Sequence, residues 1–216
     1  MYSLTVYAAF AYVRKALDEL TSAENIGLLA EPDALDLHKI VEGSIVEAVY
    51  QAHTTAPAYS LEGETATRGT DFSCTVKDGV VELSMLKPIA RLLSLKCNDS
   101  DVVLTEMVAE DSAEGRMQLN SYIRGTQDDP KLVLLKKWKG DHMPKFKYYT
   151  TSKKEDELTF EIEYLPYPVL DEGVVMIAPR MEYAVLNLIV AKVLDSYKET
   201  QLADLYRAKA KEYMEG

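Results

Sequence analysis

Apolar residues in the first sixty positions recur at helical spacing. Between Leu4 and Leu20 the positions Ala9, Val13, Leu17 and Leu20 fall at steps of three and four, with Arg14, Lys15, Asp18 and Glu19 between them. This gathers the apolar side chains on one stripe and predicts an amphipathic helix. A second helix is expected from Pro32, a favourable first-turn residue, through Leu35, Ile40, Val41, Ile45, Ala48 and Val49, until Pro57 forbids continuation. With Ile26 to Glu31 as a loop containing Gly27, the pair reads as a helical hairpin, followed by a polar Thr- and Gly-rich connector from Tyr59 to Asp71.

From Phe72 the period shortens to two. Phe72 to Val76 and Val80 to Met85 flank Lys77-Asp78-Gly79, and Asp-Gly between alternating runs is a strong hairpin signal. Further strands are expected at Leu92 to Cys97, Lys131 to Trp138, Lys145 to Thr150 and Glu157 to Leu165. Asn98 to Asp101, Lys139-Gly140-Asp141 and Ser152 to Glu155 serve as turns between them, while Ala113 to Leu119 reads as a short helix and Gly125 to Pro130 as a loop.

After Leu165, Pro166 and Pro168 around Tyr167 hold the backbone extended, because each proline fixes its own φ and pushes the preceding residue out of the α region. Pro179 then stands as a first-turn proline for a helix that carries Ala184, Val185, Leu188, Ile189, Ala191, Val193 and Leu194 on a wide apolar stripe. A final half-exposed helix follows through Leu202, Leu205, Ala208, Ala210 and Met214. Helices, then strands, then helices define an α+β chain, with the N- and C-terminal helices forming one bundle around a central antiparallel β subdomain. The expected organisation is a helical hairpin over 1–60, the β subdomain with its short helix over 61–175, and C-terminal helices over 176–216 packing on the hairpin.

At 216 residues with 47% hydrophobic and 27% charged residues, the composition is that of an ordinary globular chain. No apolar run reaches the roughly 20 residues of a membrane span, and residues 1 to 10 carry no positively charged leader, so no membrane partner and a cytoplasmic site of synthesis are expected. Cys74 and Cys97 make neither a metal pair nor a disulfide framework and are expected reduced and packed.

The net charge of -11 disfavours a general nucleic-acid binder. Its distribution is uneven: residues 131–154 hold eight lysines against the single acid Asp141, leaving +7 there and -18 elsewhere. One reading is a solvated hairpin with lysines outward. The other is a positive patch docking on an acidic face of a neighbouring copy, with Lys136, Lys137, Lys139, Lys145, Lys147, Tyr148 and Tyr149 at the subunit interface. Tyrosine outnumbers phenylalanine 14 to 4, which suits surfaces buried on assembly, although Tyr148 and Tyr149 also fit half-buried strand positions.

The residues offer little to a catalytic reading. His38, His53 and His142 are far apart without a second ligand at helical spacing, and read as surface or capping side chains. No glycine-rich phosphate loop occurs. Ser44 follows Gly43 but lacks the second glycine of a nucleophile elbow. The acid pairs Asp128-Asp129 and Glu155-Asp156 fall in turns, where water keeps carboxylates ionised. No metal, cofactor or catalytic residue is expected.

Three stretches carry a resemblance: the second helix running into Ala48 to Tyr59 with His53 and Thr-Ala-Pro-Ala; the segment Gln118 to Pro130 leading into a lysine-rich strand; and Phe160 to Pro168 followed by Met176 to Ala191, where a Tyr-rich strand and Pro-Tyr-Pro enter a long helix. In this order the chain resembles the head-to-tail adaptor, or neck ring, proteins of short-tailed bacteriophages, most closely those of crAss-like phages. The resemblance implies a non-enzymatic virion protein, made in the host bacterial cytoplasm, that forms a ring of twelve copies between portal and tail. Its partners would be the portal protein, other neck or tail rings, and passing double-stranded DNA held without sequence preference. Helices would line the channel while the β subdomain embraces the neighbour. The alternative is a soluble, non-enzymatic cytoplasmic binding module acting as monomer or dimer.

Overall fold

The computed structural model describes residues 1–24, 34–135, 142–149 and 155–216. In chain order its elements are β1 (Tyr2–Thr5), α1 (Val6–Glu24), α2 (Ala34–Thr55), β2 (Glu64–Thr65), β3 (Phe72–Lys77), β4 (Val80–Met85), β5 (Ile89–Cys97), β6 (Val103–Leu104), β7 (Val108–Ala109) and α3 (Ala113–Met117). There follow β8 (Lys131–Leu134), β9 (Lys145–Tyr149), β10 (Phe160–Pro166), β11 (Val174–Ile177), α4 (Glu182–Ser196) and α5 (Thr200–Glu215). The chain is α+β, divided into two compact units: residues 1–62 with 168–216, and residues 63–167.

In the first unit α4 is the central element, packing on α1, α2 and α5. Its run from Ala184 to Ala191 is buried without interruption, as expected of a helix apolar on nearly every side. The stripe anticipated on α1 is in place, with Ala9, Val13 and Leu17 buried, and Val41, Ile45, Ala48 and Val49 face inward from α2. Burying each of the Val, Leu and Ile side chains among them contributes roughly 1.5–3 kcal/mol. The α4–α5 turn closes on Lys198, whose φ of 66° lets the Glu199 N–H reach the Leu194 carbonyl at 3.0 Å. Arg207 of α5 pairs with both Asp195 and Asp204 and so ties α5 to the end of α4.

Several features of this unit differ from the sequence reading. Residues 2–5, of which Leu4 and Thr5 open the first anticipated helix, are a strand: β1 pairs antiparallel with β11, Leu4 opposite Val175, and the helix begins at Val6 with the Thr5 hydroxyl accepting the Ala8 N–H at 3.0 Å. That pairing also gathers residues 168–175 with the helices rather than with the β subdomain. Pro179 lies ahead of α4, whose N-cap position is Met181. The face of α5 is rotated as well: Ala203, Tyr206, Ala210 and Met214 are buried while Leu205 is exposed.

The second unit is a sandwich of two sheets, β2-β10-β5-β6 and β3-β4-β9-β8-β7, whose inner faces share one core. Leu83 and Phe146 come from one sheet, Leu95 and Ile162 from the other. The Phe160 ring meets Phe72 edge-on at 6.4 Å and Tyr148 at 6.0 Å, so aromatic pairs bridge the two layers. The β3–β4 hairpin turns at Asp78 and Gly79, both at positive φ (52° and 72°), which is the primed turn expected of Asp-Gly. Among the described residues the strand pairs are antiparallel except β7 with β8, which run parallel. Glu155–Glu157 form a 3-10 turn, so β10 starts only at Phe160. Cys74 and Cys97 are buried, and neither is in a disulfide. The anticipated loop at Ile26 to Glu31, the Pro32 helix start, the Lys139-Gly140-Asp141 turn and residues 152–154 lie outside the described residues.

Candidate functional site

β9 presents part of the lysine-rich surface. Its alternation sends Lys145 and Lys147 outward and Phe146 and Tyr148 into the core. Glu82 stands opposite Lys147 on β4, and its Oε1 lies 3.7 Å from the Lys145 Nζ. On β8, Lys131 reaches Asp129 at 3.0 Å and Glu114 at 3.9 Å. Two of these cations are thus balanced within their own unit. Exposed pairs of this kind are worth about 0–1 kcal/mol and leave the charge available to a partner.

Tyr148 and Tyr149 do not belong to this surface. Tyr148 is 1% exposed and packs on Phe160; Tyr149 is 4% exposed. Burial pushes both phenols above their ordinary pKa. The correction has a simple cause: strand alternation places Tyr148 inward, and Tyr149, at the end of β9, is covered as well. Lys136, Lys137 and Lys139 lie outside the described residues. Of the interface residues anticipated from sequence, the structure therefore places Lys145 and Lys147 on a surface and removes the two tyrosines from it.

The histidines also separate. His38 is exposed on α2, with its ring 5.6 Å from Phe10, and His142 stacks on Tyr167 at 4.0 Å. His53, expected at the surface or as a cap, is fully buried, and its Nε2 accepts the Ala178 N–H at 3.0 Å. Accepting at Nε2 places the ring proton on Nδ1, which finds no partner among the described residues. Burial alone lowers its pKa to about 4, so the ring is neutral at physiological pH. Among the described residues no group of three or more His, Cys, Asp or Glu side chains is arranged to hold a metal, and no helix is long and apolar enough to cross a membrane.

A different surface escaped the sequence reading. Residues 115–126 contain Arg116 and Arg124 and no acid, within a chain of net charge -11. Four of their large apolar side chains, Met117, Leu119, Tyr122 and Ile123, are exposed. The available signal was the run of large apolar residues itself, part of which reads as a short helix over Ala113 to Leu119. No protein-family model matches the chain, and no curated protein matches it.

Proposed function

We propose that the chain is a structural subunit of a ring in a phage neck, joining portal to tail around the DNA channel and working by shape and surface charge. The observation that carries this reading is the charge of the helical unit. Residues 1–62 and 168–216 hold seventeen acidic and nine basic side chains, a net -8, and Asp18, Glu19, Glu42 and Glu47 are exposed on α1 and α2. Duplex DNA carries one negative charge per ~1.7 Å of axis. A channel wall of like sign does not grip the phosphates, so the duplex slides. Lys145 and Lys147 then belong to the side or outer surface of the ring, in contact with a neighbour.

Negative-stain imaging of the purified chain, alone and mixed with a portal assembly, tests the proposal. Rings with a central opening wide enough for a duplex are expected. A chain that stays monomeric or dimeric under both conditions abandons the ring in favour of a soluble binding module. Reversing Lys136, Lys137 and Lys139 to Glu tests the lysine patch separately: unchanged assembly removes it from the interface.

A further inference from the structure

The excursion of the chain from β7 to β8 is built inside out. Its polar groups are turned inward: the Gln118 side chain, 4% exposed, accepts the Gly125 N–H at 2.8 Å and donates to the Glu114 carbonyl at 3.3 Å. Gly115 permits the close approach at the base, where a Cβ would lie 2.1 Å from the Ala109 carbonyl oxygen. What the excursion shows to water is apolar: Leu119 is 73% and Tyr122 95% exposed, with Met117 and Ile123 exposed beside them in sequence. Holding these side chains out on an internally bonded loop gains nothing for the isolated chain, and it lowers the ordering cost of a contact.

Acid stands at both ends of this excursion. Because β7 and β8 run parallel, with Ala109 opposite Leu134, the chain leaves beside the end of β8 and has to travel back to its start at Lys131. Glu110, whose N–H donates to the Leu134 carbonyl at 3.1 Å, and Asp111 mark the departure, while Asp128 and Asp129 mark the return. All four are exposed. The length of β8 sets the two acidic ends roughly 10 Å apart. The cations of the region are already partly engaged: Lys131 lies 3.0 Å from Asp129 and 3.9 Å from Glu114, and Arg124 and Glu110 both act electrostatically on the Tyr149 phenol. Over residues 98–131 eight acids stand against Arg116, Arg124 and Lys131, a net -5. The surface is thus an apolar centre in a surplus of negative charge.

We infer that this surface docks a cationic amphipathic helix of another protein, whose apolar side covers Leu119, Tyr122 and Ile123 while its lysines or arginines reach the carboxylates at the two ends. The spacing suits a helix. Two turns rise about 11 Å, so cations seven residues apart on one face span the distance between Glu110-Asp111 and Asp128-Asp129. Methionine beside leucine, isoleucine and tyrosine adapts to an aliphatic ridge, as surfaces that receive basic amphipathic helices do. The same charge argues against other occupants, since the phosphates of DNA and of anionic lipid are repelled. A second copy offers no matching face at β9: Lys145 and Lys147 alternate with Phe146 and Tyr148, which are buried in the core, so its cations come without apolar side chains beside them. The inference goes beyond the ring reading and requires no ring.

The test uses the full chain and a fluorescein-labelled peptide of about fourteen leucines and lysines in amphipathic order, roughly 20 Å long as a helix. Fluorescence anisotropy reads binding, and circular dichroism checks that every variant folds. Wild type should bind this peptide, and should ignore both a glutamate-leucine peptide of the same pattern and a lysine-glutamine peptide of the same charge. A loop variant, Leu119→Ser with Tyr122→Ser, should bind roughly tenfold more weakly or worse. An acid variant, Asp111→Asn with Asp128→Asn, should bind more weakly and lose part of the salt dependence. Asp18→Asn with Glu42→Gln, exposed acids of the helical unit, should change nothing. A photo-crosslinker in place of Tyr122 should capture the peptide. No binding by wild type, unchanged binding by the loop variant, or equal binding of the lysine-glutamine peptide would each overturn the inference. So would an equal loss in the helical-unit variant, which would mean that the peptide follows overall charge. Self-association, or binding of anionic vesicles or duplex DNA, that disappears in the loop variant would assign the surface to a different occupant and overturn it as well.

Discussion

His53 makes a quantitative prediction about acid. Its ring is fully buried near the end of α2, its Nε2 accepts from Ala178 in the turn between β11 and α4, and desolvation lowers its pKa from the ordinary 6.5 to about 4. Protonation there would both bury a charge and remove the acceptor that holds the Ala178 N–H. The sign follows directly. The unfolded chain takes up the proton first as pH falls, so stability is complete above about pH 6.5 and is lost progressively down to about pH 4. A displacement of this size corresponds to a full loss of about 3 kcal/mol, most of which should be gone by pH 4.5. His53→Gln isolates the effect, since Gln keeps an acceptor for the amide without titrating. Urea unfolding followed by ellipticity at 222 nm reports the helical unit, which holds α1, α2, α4 and α5. Every other titrating group is common to the two proteins. The stability advantage of wild type over the variant should therefore shrink by about 2–3 kcal/mol between pH 7.5 and 4.5. A difference constant to within about 0.5 kcal/mol would refute the reasoning, as would a His53 ring resonance titrating near pH 6.5 in the folded protein.

Three further outcomes are expected. Gly79→Ala forces a Cβ onto a residue at φ 72° and should lower the stability of the sandwich by about 1 kcal/mol in urea titrations, with the m-value unchanged. Leu95, with no exposed surface in the shared core, should lose about 2–5 kcal/mol on Leu95→Ala, read as an earlier thermal or urea transition of the β unit. Asp71 is held below the usual carboxylate range by the Lys87 ammonium at 2.6 Å and by the Thr67 N–H. Its contribution is present above its ordinary pKa and disappears as pH falls below it, so Asp71→Asn should be less stable than wild type at neutral pH, and the gap should narrow in acid.

Local chemistry was the legible part of this sequence. Asp78-Gly79 announced its hairpin because few other residue pairs accept two consecutive positive φ values, and the α1 and α2 stripes were readable because each helix is apolar on one side only. Long-range pairing was not. Tyr2–Thr5 is four residues long, and nothing in those four residues names Val174–Ile177 as its partner. On α5 the expected inner positions Ala210 and Met214 are buried, but Leu205 is exposed and Tyr206 and Ala203 are buried in its stead; tyrosine has enough apolar area to win that place when a neighbouring helix covers it. The same duality misled the reading of Tyr148 and Tyr149, whose ring area counted for more in the core than their hydroxyls did at the surface. His53 was hidden because burial of an imidazole depends on an amide 125 residues away.

The interrupted layout of the helical unit has a consequence for synthesis. α2 and β1 leave the ribosome well before their partners, since β1 must wait for a strand roughly 170 residues further along. At 5–20 residues per second that delay is on the order of 10 s, and the inserted sandwich is itself complete only when β10 is made, eight residues ahead of β11. During that interval Val41, Ile45 and Val49 of the nascent chain lack α4, the later helix on which α2 packs. The first helical pair is therefore the segment a holdase chaperone would grasp, and a translation pause placed after the sandwich would lengthen its exposure.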